Sequence, residues 1–114
     1  RTGLVLGTPS FMAPEQLAGH KVDGRCDLYA LGVTLFQLLT GSLPLRGASM
    51  SELMHNIAHV QPPDVRQLRP ELPEALARIV DRALRKSPQE RYQTGRQFAA
   101  DLRGVINAMQ GGMD

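Results

Sequence analysis

The chain contains no tryptophan and one cysteine, and only 4% of its 114 residues are aromatic. The single cysteine, Cys26, excludes a framework of intrachain disulfides and fits a reducing, intracellular setting. The sequence also lacks a signal peptide and any run of about 20 apolar residues, the length needed to span a bilayer. Because 42% of the residues are hydrophobic but few are aromatic, the composition favours packed helices over a β-sandwich.

The net charge is small as well, with a formal value of +2 at pH 7. Such mild basicity is weak evidence for a nucleic-acid partner. The length suits one domain with one hydrophobic core. Since the sequence begins at Arg1 rather than methionine, we expect it to be a piece of a longer protein.

The longest apolar stretch is Cys26–Thr40, in which leucines repeat at helical spacing and Tyr29, Val33 and Phe36 fill the opposite side. A helix that is apolar on every side is expected to be buried on every side. Gly41 predicts its C-terminal end. The sequence therefore predicts an all-α fold in which five or six helices pack around this central buried helix.

Shorter amphipathic helices are predicted on both sides of the central one. Their starts are marked by Pro14, by the capping box Ser49-x-x-Glu52, by Pro73 and by the capping box Thr94-x-x-Gln97. Residues 1–12 contain two glycines and a proline without a helical period, and residues 61–72 are rich in proline, so we predict both segments to be irregular. No segment shows the alternation of a half-buried strand.

Three motifs occur in order along the chain. Gly7–Glu15 reads GTPSFMAPE, Asp27–Gly32 reads DLYALG, and Lys86–Tyr92 reads KSPQERY. Together they resemble the end of the activation segment, the opening of the central C-lobe helix and the segment before the last helix of protein kinases. The P-E-Q of Pro14–Gln16 is most similar to bacterial serine/threonine kinases.

The resemblance covers essentially the whole chain. It implies that residues 1–114 are part of a protein kinase domain. Residues 1–12 would form the end of the activation segment and the P+1 loop, residues 13–110 the helical lower C-lobe, and residues 111–114 a tail.

The resemblance also implies roles for residues near the start of the chain. Peptide substrates would be bound by the P+1 loop, whose members are Gly7, Thr8, Pro9, Ser10, Phe11 and Met12. Thr8 would support the active site of the parent kinase and favour Ser/Thr acceptors, although from the residues alone it is a turn hydroxyl. Thr2 would be an activating phosphorylation site, or else simply an exposed threonine near a terminus.

Structural roles are implied for Ala13, Pro14, Glu15, Asp27, Gly32 and Arg91. Glu15 and Arg91 match family positions that form an ion pair, and we predict a partly buried, charge-assisted pair. By position, Asp27 is an N-cap or a first-turn acid of the central helix. The resemblance adds that it accepts backbone amides of the catalytic loop.

Other parts of a kinase are absent from the sequence. It contains no Gly-rich phosphate loop, no V-A-I-K lysine, no H-R-D catalytic loop and no D-F-G. We therefore expect no catalytic residue in this chain and no activity from it alone, whereas the parent would use ATP and Mg²⁺ to phosphorylate Ser/Thr of proteins. His55 and His59 lack a third ligand beside them, so no metal site is expected.

The expected partners are the rest of the kinase domain and, through the parent, protein substrates; self-association of the isolated chain is a further expectation. We expect a cytoplasmic location, with a membrane anchor of the parent beyond the C-terminus left open. The basic edge Arg78, Arg82, Arg85 and Lys86 is interpreted as solvated, so no nucleic-acid partner is expected. The alternative is a free-standing helical module that binds proteins or nucleic acid, favoured only by mild basicity and amphipathic helices.

Overall fold

The computed structural model describes residues 9–111. This part of the chain is built from six α-helices and two short 3-10 helices and has no strand, which confirms the prediction of an all-α fold. The α-helices are α1 (Pro14–Leu17), α2 (Arg25–Thr40), α3 (Met50–His59), α4 (Val65–Leu68), α5 (Glu74–Ala83) and α6 (Gly95–Gly111). The 3-10 helices are Pro9–Phe11 and Pro88–Glu90. Among the helices described, none has the length and apolar character required to cross a membrane.

The central helix α2 begins one residue earlier than predicted and ends where predicted. Gly41 takes a φ of 79° and donates its N–H to the carbonyl of Gln37 at 2.7 Å. Glycine adopts this left-handed conformation without a β-carbon clash, so it stops the helix efficiently. Asp27 lies in the first turn, but the N-cap residue is Gly24, so the N-cap alternative for Asp27 is wrong.

One side of α2 is buried and the other is not. Tyr29, Val33 and Phe36 are at most 1% exposed, because α4, α5 and the 3-10 helix Pro9–Phe11 pack against α2. On another side, Leu31 is 55% exposed and Leu38 is 78% exposed. The prediction that α2 is buried on every side is therefore wrong for residues 9–111, since no described helix packs over these two leucines.

The described residues form three hydrophobic clusters. The largest joins α2 to α4 and α5, and a second joins α2, α5 and α6 through side chains such as Tyr92 and Phe98. The third is small and lies under α3, where Leu53 and Ile57 pack with Leu45. Thus α3 has two buried residues, whereas α5 has four.

Two predicted capping boxes open their helices. The hydroxyl of Ser49 accepts the N–H of Glu52 at 3.1 Å, and the hydroxyl of Thr94 accepts the N–H of Gln97 at 3.1 Å. The Gln97 side chain reaches back and accepts the N–H of Gln93 at 2.8 Å. These side chains satisfy backbone donors that have no partner inside the helix.

Residues 61–72 are not wholly irregular. The carboxylate of Asp64 accepts the N–H of Arg66 at 2.8 Å and so caps α4. Val65, at the start of α4, is only 2% exposed and belongs to the largest cluster. The cap and this buried anchor stabilise one helical turn despite the neighbouring prolines, so the prediction of an irregular segment is wrong at α4.

Candidate functional site

The structure describes residues 9–12 of the predicted peptide-binding segment, and Pro9–Phe11 form a 3-10 helix. The N–H of Met12 donates to the carbonyl of Pro9 at 3.1 Å and closes this turn. Ser10 is buried, whereas Phe11 and Met12 are half-buried. Phe11 packs against the largest hydrophobic cluster, so the segment is seated on α2.

Three members of the predicted site lie outside the described residues. These are Thr2, the predicted phosphorylation site, and Gly7 and Thr8 of the predicted P+1 loop. Their assignments stay predictions.

The A-P-E motif forms the start of α1. Ala13 is fully buried, and its N–H donates to the side chain of Gln16 at 2.8 Å. Pro14 occupies the first helical position, where its missing N–H costs no hydrogen bond and its fixed φ suits a helix. This local geometry places Glu15 on the buried side of the short helix, and it is 9% exposed.

Glu15 and Arg91 form a two-pronged ion pair across 76 residues of sequence. Nη1 of Arg91 donates to Oε2 of Glu15 at 2.7 Å, and Nη2 donates to Oε1 at 2.6 Å. The side chain of Arg91 is 0% exposed and that of Glu15 is 9% exposed. The predicted pair is therefore confirmed, and it is more deeply buried than the sequence indicated.

The guanidinium group of Arg91 uses all of its donors. Besides the two bonds to Glu15, Nε donates to the carbonyl of Arg85 at 2.7 Å. Nη1 donates to the carbonyl of Arg25 at 3.2 Å, and Nη2 donates to that of Lys86 at 3.1 Å. Because an arginine side chain carries five N–H groups, this fork is saturated. A buried charge needs such compensation, and here α1, the start of α2 and the loop after α5 all supply it.

The ring of Tyr29 lies beneath the same guanidinium group, with 5.1 Å between Cζ of Arg91 and the ring centroid. Tyr29 is 1% exposed and comes from α2. A cation over an aromatic face is attracted to it, and the attraction grows when water is excluded. Sequence analysis missed this partner, because a tyrosine at helical spacing in an apolar stretch gives no sign of the charge it contacts.

The electrostatics of the pair keep Glu15 ionised. Burial acts to raise the pKa of its carboxyl group, but the hydrogen bonds and positive charge of Arg91 prevail, so the pKa lies below its ordinary 4.5. The carboxylate is thus charged at neutral pH, and the bonds to it are charge-assisted. Since both partners are buried and every donor of Arg91 is used, the arrangement holds a segment in place rather than exchanging a proton with a substrate.

Asp27 and Gly32 lie apart from this pair. Asp27 is exposed, and the only hydrogen bond of its side chain among residues 9–111 is a weak one of 3.9 Å from the thiol of Cys26. Gly32 is buried where α2 meets α5. No hydrogen bond joins either residue to Glu15 or Arg91 in the described part of the chain.

The basic edge of α5 is only partly solvated. Arg78 and Arg85 form exposed pairs with Glu74 and Asp81, each at 3.1 Å. Lys86 differs, because it is half-buried and its Nζ donates to the carbonyl of Ile57 at 2.7 Å. The interpretation of Lys86 as solvated is wrong, and no spacing rule could have found a contact that joins two helix ends 29 residues apart.

The two histidines of α3 are near neighbours. The ring centroids of His55 and His59 are 4.9 Å apart. Within residues 9–111, no group of three or more His, Cys, Asp or Glu side chains could hold a metal ion.

Comparison with known proteins agrees with the motifs. The family model of the protein kinase domain matches residues 2–101 of the chain. The chain is 46% identical over 110 residues to the serine/threonine-protein kinase Pkn1 of Myxococcus xanthus, covering 95% of this chain and 15% of the relative. Identity to the serine/threonine-protein kinase PksC of Streptomyces coelicolor is 42% over 109 residues, covering 96% of this chain and 20% of the relative.

A third relative is named as a tyrosine kinase, so the similarity is not limited to serine/threonine kinases. The tyrosine-protein kinase MasK of Myxococcus xanthus is 37% identical over 107 residues, which cover 94% of this chain and 17% of the relative. The chain thus spans a fifth or less of the length of these three proteins. The family match over most of the chain, together with the ordered motifs and the Glu15–Arg91 pair, shows that the chain belongs to the protein kinase family.

Proposed function

We propose that this chain supplies the peptide-binding segment and the lower C-lobe scaffold of a serine/threonine protein kinase. The observation that carries the proposal is the buried, two-pronged pair between Glu15 and Arg91. It connects α1, directly after Pro9–Met12, to the loop before α6. A segment that must recognise a peptide needs such a fixed base, because a loose segment loses entropy when it binds.

The proposal assigns residues 1–12 to the end of the activation segment and the P+1 loop, residues 13–110 to the scaffold and residues 111–114 to a tail. Within it, Thr8 supports the active site of the parent and Thr2 is phosphorylated. A phosphate on Thr2 would add up to about two negative charges and could order the segment against arginines.

The parent would use ATP and Mg²⁺. The residues described here do not fit either group, since they include no glycine-rich phosphate loop and no cluster of three metal-ligating side chains. Other parts of a kinase domain would hold nucleotide and metal, and no step of the reaction is assigned to residues of this chain. A cytoplasmic location, where ATP is available, is part of the same proposal.

The exposed side of α2 is proposed to contact the rest of the kinase domain. Leu31, Leu35 and Leu38 of α2 face Phe98 and Leu102 of α6 across an apolar groove of about 280 Å³. Large apolar patches on a protein surface usually meet a partner. In the chain alone, the same groove would promote self-association.

The proposal can be tested in the full-length protein that contains this chain. Phe11→Ala and Met12→Ala are expected to raise KM for a peptide substrate while leaving KM for ATP unchanged. Met109→Ala, at a 52% exposed position near the end of α6, is the matched control and should change neither. Serine, threonine and tyrosine peptides assayed side by side identify the acceptor, and absence of phosphoryl transfer to any of them would contradict the proposal.

A further inference from the structure

Lys86 links the end of α5 to the end of α3. Its Nζ donates to the carbonyl of Ile57 at 2.7 Å and to that of Asn56 at 3.4 Å. Both carbonyls belong to the last turn of α3. The carbonyl of Asn56 also accepts the N–H of Val60 at 2.8 Å, so Lys86 chiefly satisfies the carbonyl of Ile57, at an end where a helix leaves acceptors for other donors. A cation at this end of a helix also interacts favourably with the helix dipole.

The link matters because α3 has few other attachments. Only Leu53 and Ile57 are buried along its length. Among the described elements, α3 packs chiefly against α1 and the 3-10 helix Pro9–Phe11. Lys86 therefore holds α3 from the side of α5, while α3 in turn contacts the proposed peptide-binding segment.

The backbone around Lys86 is itself held in place by Arg91. Its own carbonyl accepts Nη2 of Arg91 at 3.1 Å, and the carbonyl of Arg85 accepts Nε at 2.7 Å. The loop is thereby tied to Glu15 through the saturated guanidinium group. One short stretch of backbone thus sets the position of α1 through Arg91 and that of α3 through Lys86.

We propose that Lys86 is a positioning residue that fixes α3 against Pro9–Met12 and so sets the shape of the peptide-binding surface. The geometric part of this proposal is that Lys86 fixes α3 against Pro9–Met12, which involves only contacts within this chain. The statement that the surface binds peptides rests on the proposed function.

Hydrogen exchange of the full 114-residue chain tests the geometric part. Lys86→Met keeps the apolar stem and removes the donors, and we expect exchange to rise at least about tenfold at residues 53–60 and at residues 10–12. Exchange within α5 should not change. Lys86→Arg, which retains charge and donors, should restore most of the protection. Lys21→Met is the matched control, since Lys21 is exposed and is the only other lysine.

Several outcomes would overturn the proposal. Faster exchange in α3 without any change at residues 10–12 would show that Lys86 anchors α3 but positions nothing else. A uniform rise across α2, α3 and α5 would show general destabilisation instead of positioning. If Lys86→Met does not fold, a scalar coupling across the hydrogen bond between Nζ of Lys86 and the carbonyl carbon of Ile57 decides in the wild-type chain, and its absence would refute the contact.

The functional part has its own readout. In the full-length protein, Lys86→Met is expected to raise KM for a peptide substrate about three- to tenfold, with KM for ATP unchanged, and Lys86→Arg should reverse most of the change. An altered exchange pattern with an unchanged peptide KM would overturn the link to peptide binding while leaving the geometric part standing. If the wild-type full-length protein phosphorylates no peptide, that result would instead count against the proposed function.

Discussion

A β-carbon built on Gly32 would lie 2.7 Å from the β-carbon of Ala83 and 3.1 Å from Cδ2 of Leu84. Side chains in a protein interior do not approach so closely, so α2 and α5 meet at a distance that only glycine permits. Ala83 is 0% exposed and Leu84 is 3% exposed, which leaves them little room to move away. Gly32 therefore sets the spacing between the central helix and the helix that contributes most to its burial.

Gly32→Ala is expected to destabilise the chain by about 1–3 kcal/mol, because the added methyl group must push the two helices apart. Gly104→Ala is the control: it lies inside α6, where a β-carbon meets nothing within 4 Å, and it should stabilise by up to about 1 kcal/mol through helix propensity. Urea unfolding followed by circular dichroism measures both. A stabilised Gly32→Ala variant would show that the close approach is not real.

Arg91→Ala should loosen the start of the chain far more than Arg96→Ala. Removing one partner of a buried pair strands the other charge and costs about 3–5 kcal/mol, whereas the exposed Arg96 should change stability by no more than about 0.5 kcal/mol. Hydrogen exchange at residues 10–17 is the measurement. Equal exchange in the two variants would mean that the Glu15–Arg91 pair does not hold this segment.

The Glu15–Arg91 pair should make the stability of the fold depend on pH. Arg91 holds the pKa of Glu15 below its ordinary 4.5, so the pair contributes fully above that value, and the contribution is lost as pH falls through the folded pKa. Glu15→Gln should be less stable than wild type at pH 7 and should lose less stability on acidification. Glu74→Gln, at an exposed position of α5, is the control. Parallel stability profiles for wild type and Glu15→Gln between pH 7 and 3 would contradict this account.

Much of the fold follows from local sequence, and the reason is visible in particular residues. The caps formed by Ser49 and Thr94 and the helix end at Gly41 involve contacts within one or two turns, so the local pattern alone predicts them. The pairing of Glu15 with Arg91 was predicted from the resemblance to protein kinases, because no local rule could supply it.

Other features depend on contacts that local patterns do not encode. The helix α4 depends on where Val65 meets the core, and the exposure of Leu38 depends on what lies over α2. The saturation of Arg91 needs the carbonyls of Arg25 and Arg85, and backbone acceptors carry no sequence signal at all.

Lys86 should titrate well below an ordinary lysine. Burial, with a smaller contribution from the charge of Arg91, lowers its pKa from 10.5 to about 8. Between those two values the unfolded chain binds more protons than the folded chain, so stability should rise with pH across this window. The ε-carbon resonance in the Lys21→Met variant isolates Lys86, and a titration midpoint near that of an unperturbed lysine, about 10.4, would contradict the prediction.

The apolar groove between α2 and α6 should drive the isolated chain to self-associate, and Leu38→Glu should prevent it. Leu38 is 78% exposed, so the substitution leaves the core intact while placing a charge where a second molecule would have to bury it. Burying one leucine side chain contributes about 1.5–3 kcal/mol, and about 1.4 kcal/mol corresponds to tenfold in affinity. We therefore expect the dissociation constant from sedimentation equilibrium to rise at least about tenfold. Leu68→Glu, at a 48% exposed position of α4 outside the groove, should leave it unchanged. A wild-type chain that stays monomeric at its highest soluble concentration, or equal dissociation of the two variants, would show that the groove is not the contact.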